Sequence, residues 1–264
     1  MNPQSSPAGK VELYHFWSSV CSVKVRMALE EKGVPWVSRY IDLFQFDQMK
    51  PAYLAINPDG VVPTLVHNGQ PIHESSVINE YIDTAFDGPP LVPADPLAGA
   101  RMREFIFACD EGFDAIVKLT IVRYIVPKLR RRHGEDALHA WAERRPKKFY
   151  RDVHTRAIRG EIGEAELGES LDAIGTLLDK MEARLAHADW IAGDFSLADI
   201  AMAPYAFRLH ALGHEAFWSG SLRPRVNDWY ARIAARPAFV TAASWPDESG
   251  GGYEEVGLVN PNQD

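Results

Sequence analysis

Trp17-Ser18-Ser19-Val20-Cys21-Ser22-Val23-Lys24 is the stretch on which the reading of this chain turns. Before it, Val11-Glu12-Leu13-Tyr14-His15-Phe16 is a short strand. After it, Cys21, Val25, Ala28 and Leu29 recur at i, i+4, i+7 and i+8, the inward stripe of a helix that Gly33 ends. Three hydroxyls and a thiol thus stand at a strand-to-helix turn. There the first helical N–H groups lack intrahelical partners, and the helix dipole favours an anion. A thiol so placed is expected to ionise more readily, and the thiolate is the reactive form. Cys21 reads as a nucleophile, as a neighbour of a bound thiolate, or as a small buried hydrophobe. Ser18, Ser19 and Ser22 read as partners in that chemistry or as helix caps.

Working outward, residues 1–10 read as a flexible lead. Val34-Pro35 leads into a second strand over roughly Trp36–Leu43, and a short helix follows at about Pro51–Ala55. Asn57-Pro58-Asp59-Gly60 is a turn. The apolar run after it is a strand with Pro63 at its start, where a residue without an N–H belongs. With a cis Val62–Pro63 bond, the Val62 N–H and C=O would face outward toward an extended ligand. Asn68-Gly69 signals a hairpin, Pro71-Ile72-His73 the return strand, and Glu74-Ser75-Ser76 the cap of another helix. Residues 11–86 therefore read β-α-β-α-β-β-α. Two helix N-termini, at Cys21 and Ser75, and the proline-led strand edge are placed to converge on one anionic, extended ligand.

Residues 87–97 are a proline-rich linker, and residues 98–245 carry no strand signal. Met102 to Thr120 keep helical spacing, with Cys109 in the core stripe, and Glu164–His187 form another helix. Ser196-Leu197-Ala198-Asp199 is a capping box, giving Asp199 a structural role. The apolar helix after it, to about Leu212, is bent by Pro204 or holds it in its first turns. A final helix over Arg223–Ala235 is stopped by Pro237, and residues 246–264 form an irregular tail. The basic residues between Lys128 and Arg151 read first as a solvated face; a cationic lid over an acidic or phenolate substrate is the second reading.

The 264 residues suffice for one large domain or two smaller ones. A net charge of −8 argues against nucleic acid as the main partner. Two cysteines make no disulfide framework and suit a reducing cytoplasm. No apolar run approaches a membrane span. There is no Cys-x-x-Cys, no Gly-x-Gly-x-x-Gly and no phosphate-binding loop, and the nine histidines show no metal spacing, so no metal site is expected.

Taken together, SSVCSVKVRMALEEKGV, INPDGVVPTLV, ESSVINEYI and FSLADIAMAPY resemble a glutathione S-transferase over nearly the whole chain. The start SSVCSVKVR is similar to the glutathione-dependent reductive dehalogenases and to the lignin β-aryl etherases. FYRDVHTRAIRG and ELGESLDAIGTLLDKMEARL resemble the insert of the etherases' second domain. The resemblance implies an α/β plus all-α protein: a thioredoxin-like N-terminal domain followed by a C-terminal helical bundle, working as a homodimer. It implies glutathione as co-substrate and a small hydrophobic electrophile, an aromatic ether or a halide, as its target. Val62, before Pro63, would pair its backbone with the cysteinyl part of glutathione; Glu74 and Ser75 would hold the γ-glutamyl end. Cys21 would be the nucleophile, with Ser18, Ser19 or Ser22 as hydroxyl alternatives, while Tyr14 lies inside the strand. The substrate pocket is expected between the domains, near Phe113, Val117, Tyr124 and Tyr205. Two other functions stay open: a non-catalytic ligand carrier on the same fold, and a single-cysteine glutathione-dependent reductase.

Overall fold

The computed structural model describes residues 9–219 and 221–261; most of the expected lead, and residues 262–264 of the tail, lie outside that range. Four strands form one sheet: β1 (Val11–His15), β2 (Val37–Tyr40), β3 (Thr64–His67) and β4 (Gln70–Ile72). Their order is β2-β1-β3-β4; β2 runs parallel to β1, whereas β3 is antiparallel to β1 and β4 to β3. Helix α1 (Val20–Lys32) makes the β1-to-β2 crossover, a single turn α2 (Pro51–Leu54) precedes β3, and α3 (Ser75–Ala85) follows the hairpin. The second strand is shorter than expected because Asp42 ends it. The Asp42 carboxylate accepts from the N–H groups of Phe44 and Gln45 at 2.9 and 3.3 Å and opens a 3-10 turn instead.

The rest is helical: α4 (Pro96–Glu111), α5 (Phe113–Thr120), a π-helical segment (Ile121–Ile125), α6 (Val126–His133), α7 (Glu135–Glu143), α8 (Lys148–Ile158), α9 (Glu164–Leu185), α10 (Leu197–Ala211), α11 (Pro224–Ala234) and α12 (Pro237–Ala243). The Met102–Thr120 stripe is split at Gly112 into α4 and α5. Pro237 does not merely end a helix: it is the first residue of α12, where a missing N–H costs nothing. The Ser196–Asp199 capping box is present, and Asp199 also accepts from Ile191 N–H and from the Trp229 indole at 3.2 and 2.9 Å. Pro204 lies inside α10.

Helix α1 is the hub, packing on α3, α10 and α12. The sequence shows one inward stripe, yet every residue from Ser22 to Leu29 is buried, because both domains press on this helix. Burying each of Val25, Met27 and Leu29 stabilises the junction by about 1.5–3 kcal/mol. Arg26, fully buried among them, gives all its hydrogen bonds to fixed acceptors. Nε and Nη2 reach Ala242 O at 2.9 and 2.7 Å, and the remaining bonds go to Phe16 O, Trp17 O and His15 Nδ1. One guanidinium thus ties the end of β1 to α12 across the domain boundary.

The basic stretch is not simply a solvated face. Arg130, Arg131, Arg144 and Lys148 are exposed, but Lys128 and Arg145 are buried. The tail is irregular in backbone yet packed. Tyr253 is buried with its ring centroid 4.9 Å from that of Trp17, and Asp247 and Glu255 ion-pair with Lys128.

Candidate active site

Ser19 caps α1: its Oγ accepts from the Ser22 N–H at 3.2 Å, which sets Cys21 in the first turn. Across from it, α3 begins at Ser75, after Glu74 takes φ +63°, uncommon for a residue with a Cβ. The loop between them is fixed from behind. Asn57 Nδ2 donates to Val61 O and to Thr64 Oγ1, both at 3.0 Å, and the Val62–Pro63 peptide is cis.

Two cavities meet at this point, and Cys21, Val61, Val62, Phe113 and Tyr150 line both. The larger, about 450 Å³, is polar: Asn57, Asp59, Pro63, His73, Glu74, Ser75, Asp110, Asp114 and Lys147 are on its wall. The smaller, about 120 Å³, is mostly apolar, walled by Phe16, Leu43, Val117, Ile121, Ile125 and Trp141, with Arg145, His154 and Arg208 among them. The basic insert covers both. Lys147 reaches Glu74 at 3.4 Å and Asp59 at 3.7 Å, and Tyr150 of α8 sits where the two cavities join.

Burial pushes the Cys21 thiol above its ordinary value. The Lys24 ammonium and a hydrogen bond with the Ser75 side chain pull the other way without overcoming it. The lowered value expected from the helix start is therefore corrected: desolvation by the cavity walls outweighs the local attraction. Lys24 is itself buried, 3.7 Å from Asp110 and 4.7 Å above the Tyr205 ring. Cys109 is wholly buried, its thiol pushed up to about 12 by the same cause.

Of the expected site residues, Cys21 and Ser19 line the apolar cavity, Val62, Pro63, Glu74 and Ser75 the polar one, and Phe113 and Val117 are on the apolar wall too. Ser22 does not face either. It is wholly buried and its Oγ accepts from the Phe16 N–H at 3.3 Å, a strand-to-helix clamp. Tyr124 and Tyr205 are not on the walls either. Tyr124 lies in the π-helical segment, whose extra residue per turn rotates it away, onto Trp17, Phe44 and Tyr253. Tyr205 lies behind α1 and donates to Cys109 O at 3.0 Å. Sequence reasoning missed Trp141, Tyr150, His154 and Arg208 as wall residues; the signals were the basic run that contains Arg145 and Lys147 and the insert FYRDVHTRAIRG that contains Tyr150 and His154.

A thioredoxin-like layer carrying a helix-start thiol, docked on a helical bundle with a divided cavity at the seam, defines a two-domain class with a thiol where its two cavities meet. Residues 18–85 match the family model for Glutathione S-transferase, N-terminal domain, and residues 157–232 that for Glutathione S-transferase, C-terminal domain. Tetrachloro-p-hydroquinone reductive dehalogenase of Sphingobium chlorophenolicum is 29% identical over 261 residues, covering 92% of this chain and 99% of that protein. Glutathione S-transferase 1 of Dianthus caryophyllus is 30% identical over 167 residues, covering 63% of this chain and 73% of that one. The crystal structure of β-etherase LigF from Sphingobium sp. strain SYK-6 aligns with a TM-score of 0.81 at 28% identity, over 88% of this chain and 98% of the other. The chain belongs to the glutathione S-transferase family, and its co-substrate is glutathione.

Proposed function

We propose that the chain holds glutathione in the polar cavity and directs sulfur chemistry at an aromatic ether or aryl halide in the apolar one, through Cys21. The observation that carries this reading is the position of Cys21 on the wall common to both cavities, in the first turn of α1, with Ser75 on the wall of the polar one. Val62 offers its backbone to the cysteinyl part of glutathione. Glu74 and Ser75 hold the γ-glutamyl end, with its carboxylate at the start of α3. The glutathione thiolate attacks the electrophilic carbon, a C–S bond forms, and the phenolate or halide leaves with its bonding pair. In the reductive branch the Cys21 thiolate then attacks the sulfur of the glutathionyl–aryl thioether: the Cys21–glutathione S–S bond forms as the C–S bond breaks, the aryl carbon keeps the bonding pair and takes up a proton, and a second glutathione thiolate resolves the mixed disulfide to oxidised glutathione. The activities for which the two bacterial relatives are named, reductive dehalogenation and ether cleavage, are both of this electrophilic-carbon type. The working unit in this proposal is a cytoplasmic homodimer, with residues 11–86 binding glutathione and residues 98–245 supplying the substrate walls.

The test is the intact mass of the protein after incubation with oxidised glutathione, with peptide mapping of any adduct. Turnover of tetrachlorohydroquinone and of a β-aryl ether is measured alongside for the wild type and Cys21→Ala. A glutathionyl adduct confined to Cys21, and loss of turnover in Cys21→Ala, are the expected results. Full turnover in Cys21→Ala would remove the thiol from the mechanism and return it to glutathione alone, with Ser18 or Ser19 beside it.

A further inference from the structure

Buried cations elsewhere among the described residues have a carboxylate within ion-pair distance or are saturated, though Lys24 has only Asp110 at 3.7 Å and its Nζ makes no hydrogen bond. Lys32 pairs with Asp83, Lys128 with Asp247 and Arg223 with Asp179, and Arg26 is taken up by backbone carbonyls and His15. Two arginines on the apolar cavity break that rule. Arg145, in the α7–α8 connection, is 5% exposed; its Nη1 donates to Gly60 O at 2.9 Å, and its Nε has no partner. Arg208 of α10 is 2% exposed; its Nη2 donates to Ser18 O, and Nε and Nη1 have no partner. Neither makes an ion pair with any described carboxylate, and no Asp or Glu among the described residues lines this cavity. The adjoining polar cavity has the opposite character, with Asp59, Glu74, Asp110 and Asp114 against Lys147.

A buried guanidinium with unmet N–H groups is costly unless something supplies the missing acceptors. The planar fork of arginine matches an oxyanion in particular. Around it the cavity is apolar and aromatic, with the Trp141 and Tyr150 rings flanking Arg145 at 5.6 and 5.2 Å. Its volume of about 120 Å³ is close to that of the ~150 Å³ cavity known to accept benzene.

We propose that Arg145 and Arg208 make the apolar cavity an oxyanion site, so that the second substrate is a small aromatic anion, its carboxylate or phenolate oxygen held by these two guanidiniums. This rests on the assignment of that cavity to the second substrate. The aryl anion then lies on the basic side of Cys21, while on the other side the glutathione ammonium meets carboxylates and its own carboxylates are left to the start of α3 and to Lys147. His154, on the same wall, is held neutral by burial and adds no competing charge.

The test is calorimetric titration of the full chain with 4-nitrobenzoate and 4-nitrophenolate, each against its neutral counterpart, 4-nitrobenzamide and 4-nitroanisole. The anions are expected to bind about tenfold or more tightly than the neutral forms. Arg145→Gln and Arg208→Gln are each expected to erase most of that ratio while leaving the neutral compounds' affinity within about twofold. Stronger binding of the benzoate names a carboxylate as the natural group; stronger binding of the phenolate names an aryl oxide. Equal binding of anion and neutral counterpart by the wild type overturns the proposal, and that measurement needs no variant to fold. A ratio unchanged in both folded variants overturns it too. Glutathione affinity and turnover are read on the same preparations. Turnover without anion preference sinks this inference alone. Anion preference without any glutathione-dependent turnover sinks the proposed enzyme reading and leaves the oxyanion site standing.

Discussion

Lys128 Nζ lies 2.8 Å from Asp247 Oδ2, with both side chains almost wholly out of solvent. The same ammonium reaches Glu255 at 3.2 Å and Gly252 O at 2.8 Å and sits 4.6 Å above the Phe44 ring. It therefore pins residues 247–255 to α6 and to the edge of the sheet domain. Removing one member of a buried pair leaves the other uncompensated, at about 3–5 kcal/mol. Lys128→Met is expected to lower urea-unfolding stability by that order, and adding Asp247→Asn to recover part of it. A single variant within about 0.5 kcal/mol of wild type would show that the pair carries no net weight.

His15 is wholly buried between two fixed partners. Arg26 Nη1, which can only donate, lies 3.1 Å from Nδ1, so the proton is on Nε2, which donates to Ser38 Oγ at 2.8 Å. Burial first, and then the Arg26 charge, hold this imidazole down to about 2. The unfolded chain takes up a proton near pH 6.5 that the folded chain refuses until about 2. The stability contributed by His15 is therefore complete above pH 6.5 and falls as the pH drops. The loss is about 1.4 kcal/mol per pH unit. Urea titrations from pH 6.5 down to 4.5 should show the slope build to this value over the first unit, with His154, held down to about 3, adding a second proton of the same sign. His15→Gln should flatten the slope by one proton; an unchanged slope would contradict the neutral-imidazole assignment.

Because burial raises the Cys21 thiol, its alkylation by iodoacetamide at neutral pH should be slower than that of free glutathione and should climb only in the alkaline range. Lys24 favours the thiolate, so Lys24→Met should move the rate profile to still higher pH. A midpoint at or below neutrality in the wild type would mean that the helix start dominates after all.

Ser75→Ala removes a hydroxyl from the start of α3 and from beside Cys21. Glutathione affinity by calorimetry is expected to fall about tenfold, the worth of one hydrogen bond to a charged group. The Cys21 alkylation profile should shift to higher pH in the same protein. Unchanged affinity would place the γ-glutamyl carboxylate elsewhere.

The sheet domain was legible because its signals are local. Asn68-Gly69 dictates a hairpin, Gly33 ends α1 in the left-handed conformation at φ +65°, and Ser19 and Ser75 stand at helix starts. Cys21, Val62 and Ser75 could be placed on one site for the same reason. What could not be read depends on distant chain. The direction of the Cys21 shift is set by walls from the helical domain, among them Phe113 and Tyr150. Tyr124 and Tyr205 were misplaced because helix counting has no access to the π-helical segment or to what covers α10. Lys128 and Arg145 looked like surface charges because their partners, Asp247 and Gly60 O, lie far off in sequence.

Arg26, at the middle of the helix that bears Cys21, depends on the carbonyl of Ala242, and the Trp17 ring before that helix depends on Tyr253. A ribosome makes the sheet, α1 and α3 long before it makes either support. While the chain is still being synthesised, α1 therefore carries a guanidinium missing two of its bonds and a tryptophan missing its cover. The helix that carries the thiol therefore lacks these two supports until the segment around residues 242–253 has emerged.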